Sequence, residues 1–374
     1  MNVLVVFTFG YSLKTWFDSS TLNKEISIYK NLHEKEGVNF TFLTYGNYLD
    51  KELIKEKGMS VIPIYEFLQQ TDSKIKMLFD SLIFPLRFKK KLEDIDLIKQ
   101  HQISGVWLSI VIKILLGKPL YTRTGYDMHL FAKHQNKSLL IRGLYYISNQ
   151  LGLIFSNLFT VSNSYDLINT KKTYLFTKNI SIRTNWIIKK DFYPFDERRD
   201  NAIVSVGRIE NQKNFFELIE NFSKSNIEIH IFGNGSLENE LLEYAKKNEV
   251  RLVLKGSVSN EILQSKLREY KYFISTSLYE GNPKSVIEAL SNGCLVFASD
   301  IPNHHDLITH NKNGFLFRLG NFDLKKQFFE VLEESSKFKK ISQNAFEESI
   351  KSFELDVVSS KEFEDYILLL NHSK

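Results

Sequence analysis

The chain has 374 residues, 43% hydrophobic and 25% charged, with a formal net charge of +5. That length favours two domains over one core, and the composition is that of a globular protein whose modest charge does not point to nucleic acid. Cys294 is the only cysteine, so an intramolecular disulfide is excluded, and no run of 18 apolar residues suggests a spanning helix.

The opening run Met1-Asn2-Val3-Leu4 has no basic residues ahead of it and does not read as a signal peptide. Residues 3–9 read as a buried first strand ended by Gly10. A helix is expected over 20–34, with Ile26, Tyr29 and Leu32 on one face, and a second strand over 38–44. Strand, helix, strand predicts a parallel doubly wound sheet, where ligands bind past the carboxyl ends of strands. Gly10 is then placed for close backbone approach to a ligand, or is a plain turn glycine.

Residues 74–91 interleave Lys74, Lys76, Arg87, Lys89, Lys90 and Lys91 with Ile75, Phe79, Ile83 and Leu86, and Asp80 is their only acid. Such a segment suits an anionic bilayer surface; a core helix with a solvated basic end is the alternative. A strand over 97–101, a helix over 106–116 and a strand over 119–124 follow. His101 and Asp127 fall in loops at strand ends, as active-site residues or as structural caps. Residues 138–153 predict a helix with Leu140, Leu144, Tyr145 and Ile147 inward, and strands are expected over 158–161 and 180–182. Charged residues 189–200, with Pro194, read as a linker.

A second alternation starts at Ala202. A strand over 203–206 leads into a loop carrying Arg208 and Lys213, two cations suited to neutralising a diphosphate without a metal. Strands over 228–232 and 250–254 are closed by Gly233 and Gly256. Residues 271–275 read as a strand, broken by Gly281-Asn282-Pro283. Asn282 is the expected helix N-cap, Pro283 the first helical residue, and Gly293 the stop. The free N–H groups of that helix start suit an anion, and Glu280 and Glu288 beside it can accept hydrogen bonds from sugar hydroxyls. The alternative is an ordinary strand-loop-helix with two solvated glutamates. A strand over 295–299 and a last helix over 360–371, with Phe363, Tyr366, Ile367 and Leu370 on one face, complete the chain. No dinucleotide fingerprint, P-loop or Cys/His metal spacing occurs.

Val206-Gly-Arg-Ile-Glu-Asn-Gln-Lys-Asn214, Ile231-Phe-Gly-Asn-Gly235, Leu254-Lys-Gly256 and Ser277-Leu-Tyr-Glu-Gly-Asn-Pro-Lys-Ser-Val-Ile-Glu-Ala-Leu290 resemble the retaining glycosyltransferases of family 4, the glycosyl transferases group 1. Asn292-Gly-Cys-Leu-Val-Phe-Ala-Ser-Asp300 and Asn313-Gly-Phe-Leu-Phe317 extend the likeness, which is strong over residues 202–320. It implies an α/β protein of the GT-B fold, two Rossmann-like domains with parallel sheets facing across a cleft. Residues 1–186 would bind the acceptor, 187–200 link, 201–351 bind the donor nucleotide, and 352–374 form a C-terminal helix packed back on the N-terminal domain. By match, Arg208 and Lys213 hold the donor diphosphate, Glu280 the sugar hydroxyls and Glu288 the ribose. Gly10, Gly207, Gly233, Gly256, Ser257, Ile262, Asn282, Pro283, Lys284 and Ser285 would line the donor site, and His101, Arg123 and Asp127 the acceptor side. No metal or cofactor is implied beyond the nucleotide-sugar substrate.

Three departures from the family pattern stand out. Gly281-Asn-Pro-Lys284 replaces a Gly-Phe-Gly type loop, so Lys284 adds a third cation, for a phosphate, a carboxylated sugar or solvent. The N-terminal Gly-Gly is reduced to Gly10, and Thr124-Gly-Tyr-Asp127 replaces a His-Asp pair. The expected function is a metal-independent, retaining transfer from a nucleoside-diphosphate sugar to a glycan or lipid-linked glycan in bacterial surface polysaccharide synthesis. The expected setting is cytoplasmic, peripheral at the inner face of the cell membrane through residues 74–91, with no nucleic acid partner. A sugar-nucleotide epimerase on the same fold and a non-catalytic partner subunit are the rivals.

Overall fold

The computed structural model describes residues 1–320, 323–333 and 337–372. The chain forms two compact units, one of Met1–Thr184 together with Leu355–Lys374, the other of Asn185–Glu354.

The first unit is built on seven parallel strands: β1 Asn2–Val6, β2 Asn39–Thr44, β3 Met59–Pro63, β4 Leu97–Gln100, β5 Leu120–Arg123, β6 Leu158–Val161 and β7 Ile180–Ile182. Their order is β3-β2-β1-β4-β5-β6-β7. Strands β4 and β5 are buried at every position, as expected where helices cover both faces of a parallel sheet, although Lys99, Gln100, Thr122 and Arg123 make half of those positions polar. Leu4, Val6, Ile98, Leu120 and Phe159 lie in one core beneath the helix Val106–Leu116. The helix expected over 20–34 begins earlier and in two pieces, Leu13–Asp18 and Leu22–Glu36. The first piece starts on a capping box between Ser12 and Thr15, and the second ends where Gly37 takes the left-handed conformation.

Two helices turn faces other than those expected. Leu140, Leu144 and Ile147 of the helix Leu139–Phe155 are 74%, 55% and 55% exposed, so they do not point inward. The buried side carries Asn149, Gly152 and Leu153. A Cβ on Gly152 would lie 2.5 Å from Ile103 Cδ1, so the helix approaches its neighbours through its smallest residue. The last helix, Leu355–Asn371, buries Val358, Glu362, Asp365, Tyr366 and Leu369, while Ile367 is exposed. Two ion pairs turn this polar face inward. Glu362 pairs with Lys99 of β4, and Asp365 accepts from Arg183 Nε at 2.7 Å. That helix clusters with the first unit, although it follows the whole of the second in sequence.

The second unit has six parallel strands: β8 Arg199–Val206, β9 Glu228–Phe232, β10 Arg251–Gly256, β11 Tyr270–Ser275, β12 Leu295–Ser299 and β13 Phe315–Phe317, in the order β10-β9-β8-β11-β12-β13. Ile203, Ile231, Ile274 and Phe297 pack against Leu218, Leu241 and Phe328 on one face. The expected linker 187–200 is instead part of this unit. The Ile187 N–H donates to Phe353 O at 2.8 Å, Phe195 enters the core, and β8 begins at Arg199. The charges mask this, because the run Phe192-Tyr193-Pro194-Phe195 is flanked by Lys189, Lys190 and Asp191 on one side and by Asp196 to Asp200 on the other. The boundary with the last helix accordingly falls after Glu354 rather than after residue 351.

Candidate functional site

The loops leaving β8 and β11 meet at the carboxyl edge of the second sheet. The β8 loop is pinned by its neighbours. The Ile209 N–H donates to Asn234 O at 3.0 Å, and Glu210 accepts from the N–H and hydroxyl of Ser236 at 3.0 and 2.9 Å. Those two hydrogen bonds hold the Glu210 carboxyl below its usual range. Gly233 and Gly235 make this possible. A Cβ on either would fall 2.0 Å from Gly207 O or 2.2 Å from Ile209 O. Gly233 therefore serves the packing of loop on loop.

The β11 loop is then fastened to the β8 loop. The Leu278 N–H donates to Gln212 O at 2.9 Å, and Thr276 Oγ1 donates to Lys213 O at 2.9 Å. At the junction Lys213 Nζ lies 2.5 Å from Glu280 Oε1, which also accepts from Ser277 Oγ at 2.7 Å. Gln212 Nε2 donates to Tyr279 O at 3.0 Å and reaches Glu280 Oε2 at 3.4 Å. Lys213 was expected to join Arg208 on a diphosphate; here its charge is placed on Glu280. Arg208 stands exposed at the rim and forms no ion pair among the described residues.

The helix behind this loop is Lys284–Ser291. It starts one residue later than expected. Pro283 takes the cap position, with no side-chain cap hydrogen bond, and Asn282 Oδ1 is buried with no hydrogen-bond partner. The shift follows from Pro283 O, which accepts from both Val286 and Ile287 N–H. Gly293 follows the helix in the left-handed conformation, as expected. Lys284 is exposed and Ser285 half-buried at its start. One turn on, Glu288 is 4% exposed and accepts from Asn260 Nδ2 at 2.8 Å. Asn260 opens the helix Asn260–Leu267, whose cap Ser259 follows Gly256 and the exposed Ser257; Ile262 is also exposed there. The structure thus brings together Arg208, Lys213 and Glu280, and separately Glu288 with the 256–262 loop.

Residues that the sequence did not single out brace the site from behind. Ser299 Oγ donates to Ser277 O at 2.6 Å, and Asn303 Nδ2 to Gly281 O at 2.9 Å. His304 is fully buried, and its Nδ1–H donates to Ser299 O at 2.7 Å. Burial holds its imidazole below the usual range, so it is neutral, with the Nε2 lone pair bare. Gln212 and Ser277 lie inside segments already read as loops, but nothing local distinguishes them. Among the described residues no three His, Cys, Asp or Glu side chains are placed to hold a metal ion.

The residues expected on the acceptor side divide. Asp127 caps the helix Met128–His134 through the N–H groups of His129 and Leu130, and accepts from Tyr174 OH at 3.0 Å. Burial raises the Tyr174 phenol, and the Asp127 charge adds to it. Arg123 is buried and donates to Thr184 O at 3.2 Å. Both side chains are therefore engaged in holding the fold. His101 differs, since it borders a cavity at the edge of the first sheet. Gly10 sits exposed in a turn closed by the Tyr11 N–H to Thr8 O at 2.9 Å.

Residues 189–348 match the family model for glycosyl transferases group 1. The chain is 27% identical over 267 residues to the UDP-Gal:alpha-D-GlcNAc-diphosphoundecaprenol alpha-1,3-galactosyltransferase of Escherichia coli, covering 65% of this chain and 67% of that one. It is 25% identical over 209 residues to the poly(ribitol-phosphate) alpha-N-acetylglucosaminyltransferase of Staphylococcus aureus, covering 55% of this chain and 38% of that one. The chain therefore spans well under half of that relative's length. Sucrose-phosphate synthase from Thermosynechococcus elongatus matches the fold with a TM-score of 0.82 over 100% of both chains at 13% identity. Anabaena HepE in complex with UDP and glucose matches with a TM-score of 0.74 over 98% of this chain and 99% of that one, at 14% identity. The two parallel-sheet units are those of the GT-B fold.

Proposed function

The C-terminal unit belongs to the glycosyl transferases group 1 family, and on that premise we propose that the chain moves a sugar from a nucleoside diphosphate to a glycan or lipid-linked glycan in bacterial cell-surface polymer synthesis. The transfer retains the anomeric configuration and needs no bound metal. One observation carries this reading: Lys213 and Glu280 are paired at 2.5 Å beside Arg208 on a strand edge, within one pinned pair of loops. As the bond from the anomeric carbon to the phosphate oxygen breaks, negative charge grows on the leaving phosphate. A fixed guanidinium aimed there stabilises the transition state more than the ground state. Glu280 accepts hydrogen bonds from the donor sugar and Glu288 from the ribose. Relatives named for a UDP-sugar donor and for alpha linkages support the donor class and retention.

The test is thermal unfolding in EDTA with UDP, GDP, ADP and CMP in turn. One nucleotide at about 100 times its dissociation constant adds roughly 2.7 kcal/mol of stability. That gain disappears in Arg208→Ala. A shift with no nucleotide, or only after a divalent metal is added, overturns the reading.

The proposal includes an anionic membrane as the working surface. No helix among the described residues is long and apolar enough to cross a bilayer. The helix Lys74–Arg87, however, leaves Ile75, Phe79, Ile83 and Leu86 exposed along one side, next to the exposed Lys89 and Lys90. It packs on the helix Val106–Leu116, as does the helix that exposes Leu140, Leu144 and Ile147. Each lysine near an anionic surface contributes about 1 kcal/mol, so Lys89→Ser with Lys90→Ser should weaken binding to phosphatidylglycerol vesicles roughly thirtyfold. Co-sedimentation measures this. Equal partitioning of the variant and the parent removes the membrane from the proposal.

A further inference from the structure

The chain reaches β7 through a turn, residues 174–179, whose apolar tip faces outward. Tyr174 caps the carboxyl end of the helix Ser164–Thr173 and points in. It is buried, its hydroxyl donates to Asp127, and its ring stacks on Tyr146 with centroids 5.0 Å apart. The next two residues, Leu175 and Phe176, are 65% and 67% exposed. The turn is braced. Gln150, on the helix Leu139–Phe155, accepts from the Leu175 N–H at 2.8 Å and donates to Leu175 O. The Lys178 N–H donates to Phe176 O at 3.1 Å. Phe176 has a φ of 55°, in the left-handed region, which crowds Cβ and is rare for a bulky side chain. The fold thus holds an exposed phenylalanine, in an unfavourable backbone conformation, at the tip of a fixed turn. Such strain persists only where the surrounding structure imposes it, and it points to a use for the side chain.

The charge around the turn says what it meets. Residues 128–182 contain a single acid, Asp166, and it is buried. The exposed charges of that stretch are cationic, and Lys171, Lys172 and Lys178 flank the turn. Ile147 and Ile154, about one helical turn to either side of Gln150, are exposed as well, so the apolar surface runs on from Phe176 along the helix Leu139–Phe155. A protein interface keeps charge out of its centre, whereas the interfacial zone of an anionic bilayer takes apolar side chains and cations together. We propose that Leu175 and Phe176 form a wedge that enters the interfacial zone of an anionic bilayer, with Lys171, Lys172 and Lys178 at the level of its phosphates. This rests on the reading of the membrane as the working surface, and it adds a second point of attachment apart from the helix Lys74–Arg87. Two points fix which way the unit faces the surface; a single helix lying flat leaves it free to roll.

The test uses the full chain with vesicles of phosphatidylglycerol and phosphatidylcholine. Phe176→Trp places a reporter at the tip, read as the difference from the parent and its three tryptophans. The added emission shifts to the blue on vesicles and is quenched by brominated acyl chains. Phe176→Ser weakens co-sedimentation by roughly tenfold to a hundredfold, the loss of one buried aromatic ring. Phe176→Gly loses the same binding yet unfolds at no lower a temperature than the parent, because glycine takes a positive φ freely. A phenylalanine kept for the fold would lower that temperature on removal. Absence of quenching, unchanged sedimentation of Phe176→Ser, or a lower unfolding temperature in Phe176→Gly each overturns the proposal. Lys89→Ser with Lys90→Ser separates the wedge from the helix Lys74–Arg87. If that variant sediments like the parent while Phe176→Trp is quenched, the wedge stands and the membrane role of the helix falls. If it loses sedimentation while Phe176→Trp is not quenched, the helix stands and the wedge falls.

Discussion

Lys213→Met should destabilise the C-terminal unit by about 3–5 kcal/mol, the cost of leaving a buried charge without its partner. The ammonium it removes lies 2.5 Å from Glu280 Oε1, and the two side chains are only 15% and 7% exposed. Methionine keeps most of the apolar stem, so the loss is electrostatic rather than a cavity. The hydrogen-bond partners left to Glu280 are neutral: Ser277 Oγ at 2.7 Å and Gln212 Nε2 at 3.4 Å. Glu280→Gln should cost clearly less. Its amide oxygen still accepts from Ser277, and the more exposed lysine can recover hydration. The double variant should then be more stable than Lys213→Met alone, with a coupling of about 0.5–3 kcal/mol. Hydrogen exchange of the β11 loop in the full chain reads these values locally. Additive losses below about 1 kcal/mol each would mean that the pair behaves as a solvated surface bridge and does not hold the loop.

That pairing marks where the sequence stops being legible. Strand β12 and the helix Val106–Leu116 lie where their apolar runs lie, because a buried parallel strand can be written as one continuous run. Strand β3, Met-Ser-Val-Ile-Pro, has no such run, and its place comes from pairing with β2. The last helix shows the same limit more sharply. Its apolar residues occupy more than one side, and the side that goes inward is chosen by Lys99 and Arg183, 263 and 182 residues away from their partners. Arg208, Lys213, Glu280 and Glu288 could be placed on loops and a helix start from local spacing alone. That Lys213 is occupied by Glu280 could not, since the two are 67 positions apart and nothing in either segment announces the other.

With Lys213 held by Glu280, the transition-state charge falls chiefly to Arg208, so Arg208→Ala should lower kcat by about 10² to 10³, or roughly 3–4 kcal/mol. The fold should be unaffected, because Arg208 is exposed and forms no ion pair among the described residues. The loop that carries it does not depend on the guanidinium. It is fixed by Gly207 N–H to Phe232 O at 3.0 Å, by Ile209 N–H to Asn234 O at 3.0 Å and by Glu210 on Ser236. A preset loop needs no reorganisation as the bond breaks, which is what makes one cation on it worth so much. Arg208→Lys should recover only part of the rate, since a point charge cannot span two phosphate oxygens as the planar fork does. Nucleotide release from the matching sugar nucleotide, followed in a single turnover, separates this effect on the chemical step from weaker donor binding. Should Arg208→Ala keep kcat within about threefold of the parent, the charge must be met elsewhere. Lys213 would then have to leave Glu280 when donor binds, and Lys213→Met would become the variant that loses the chemical step.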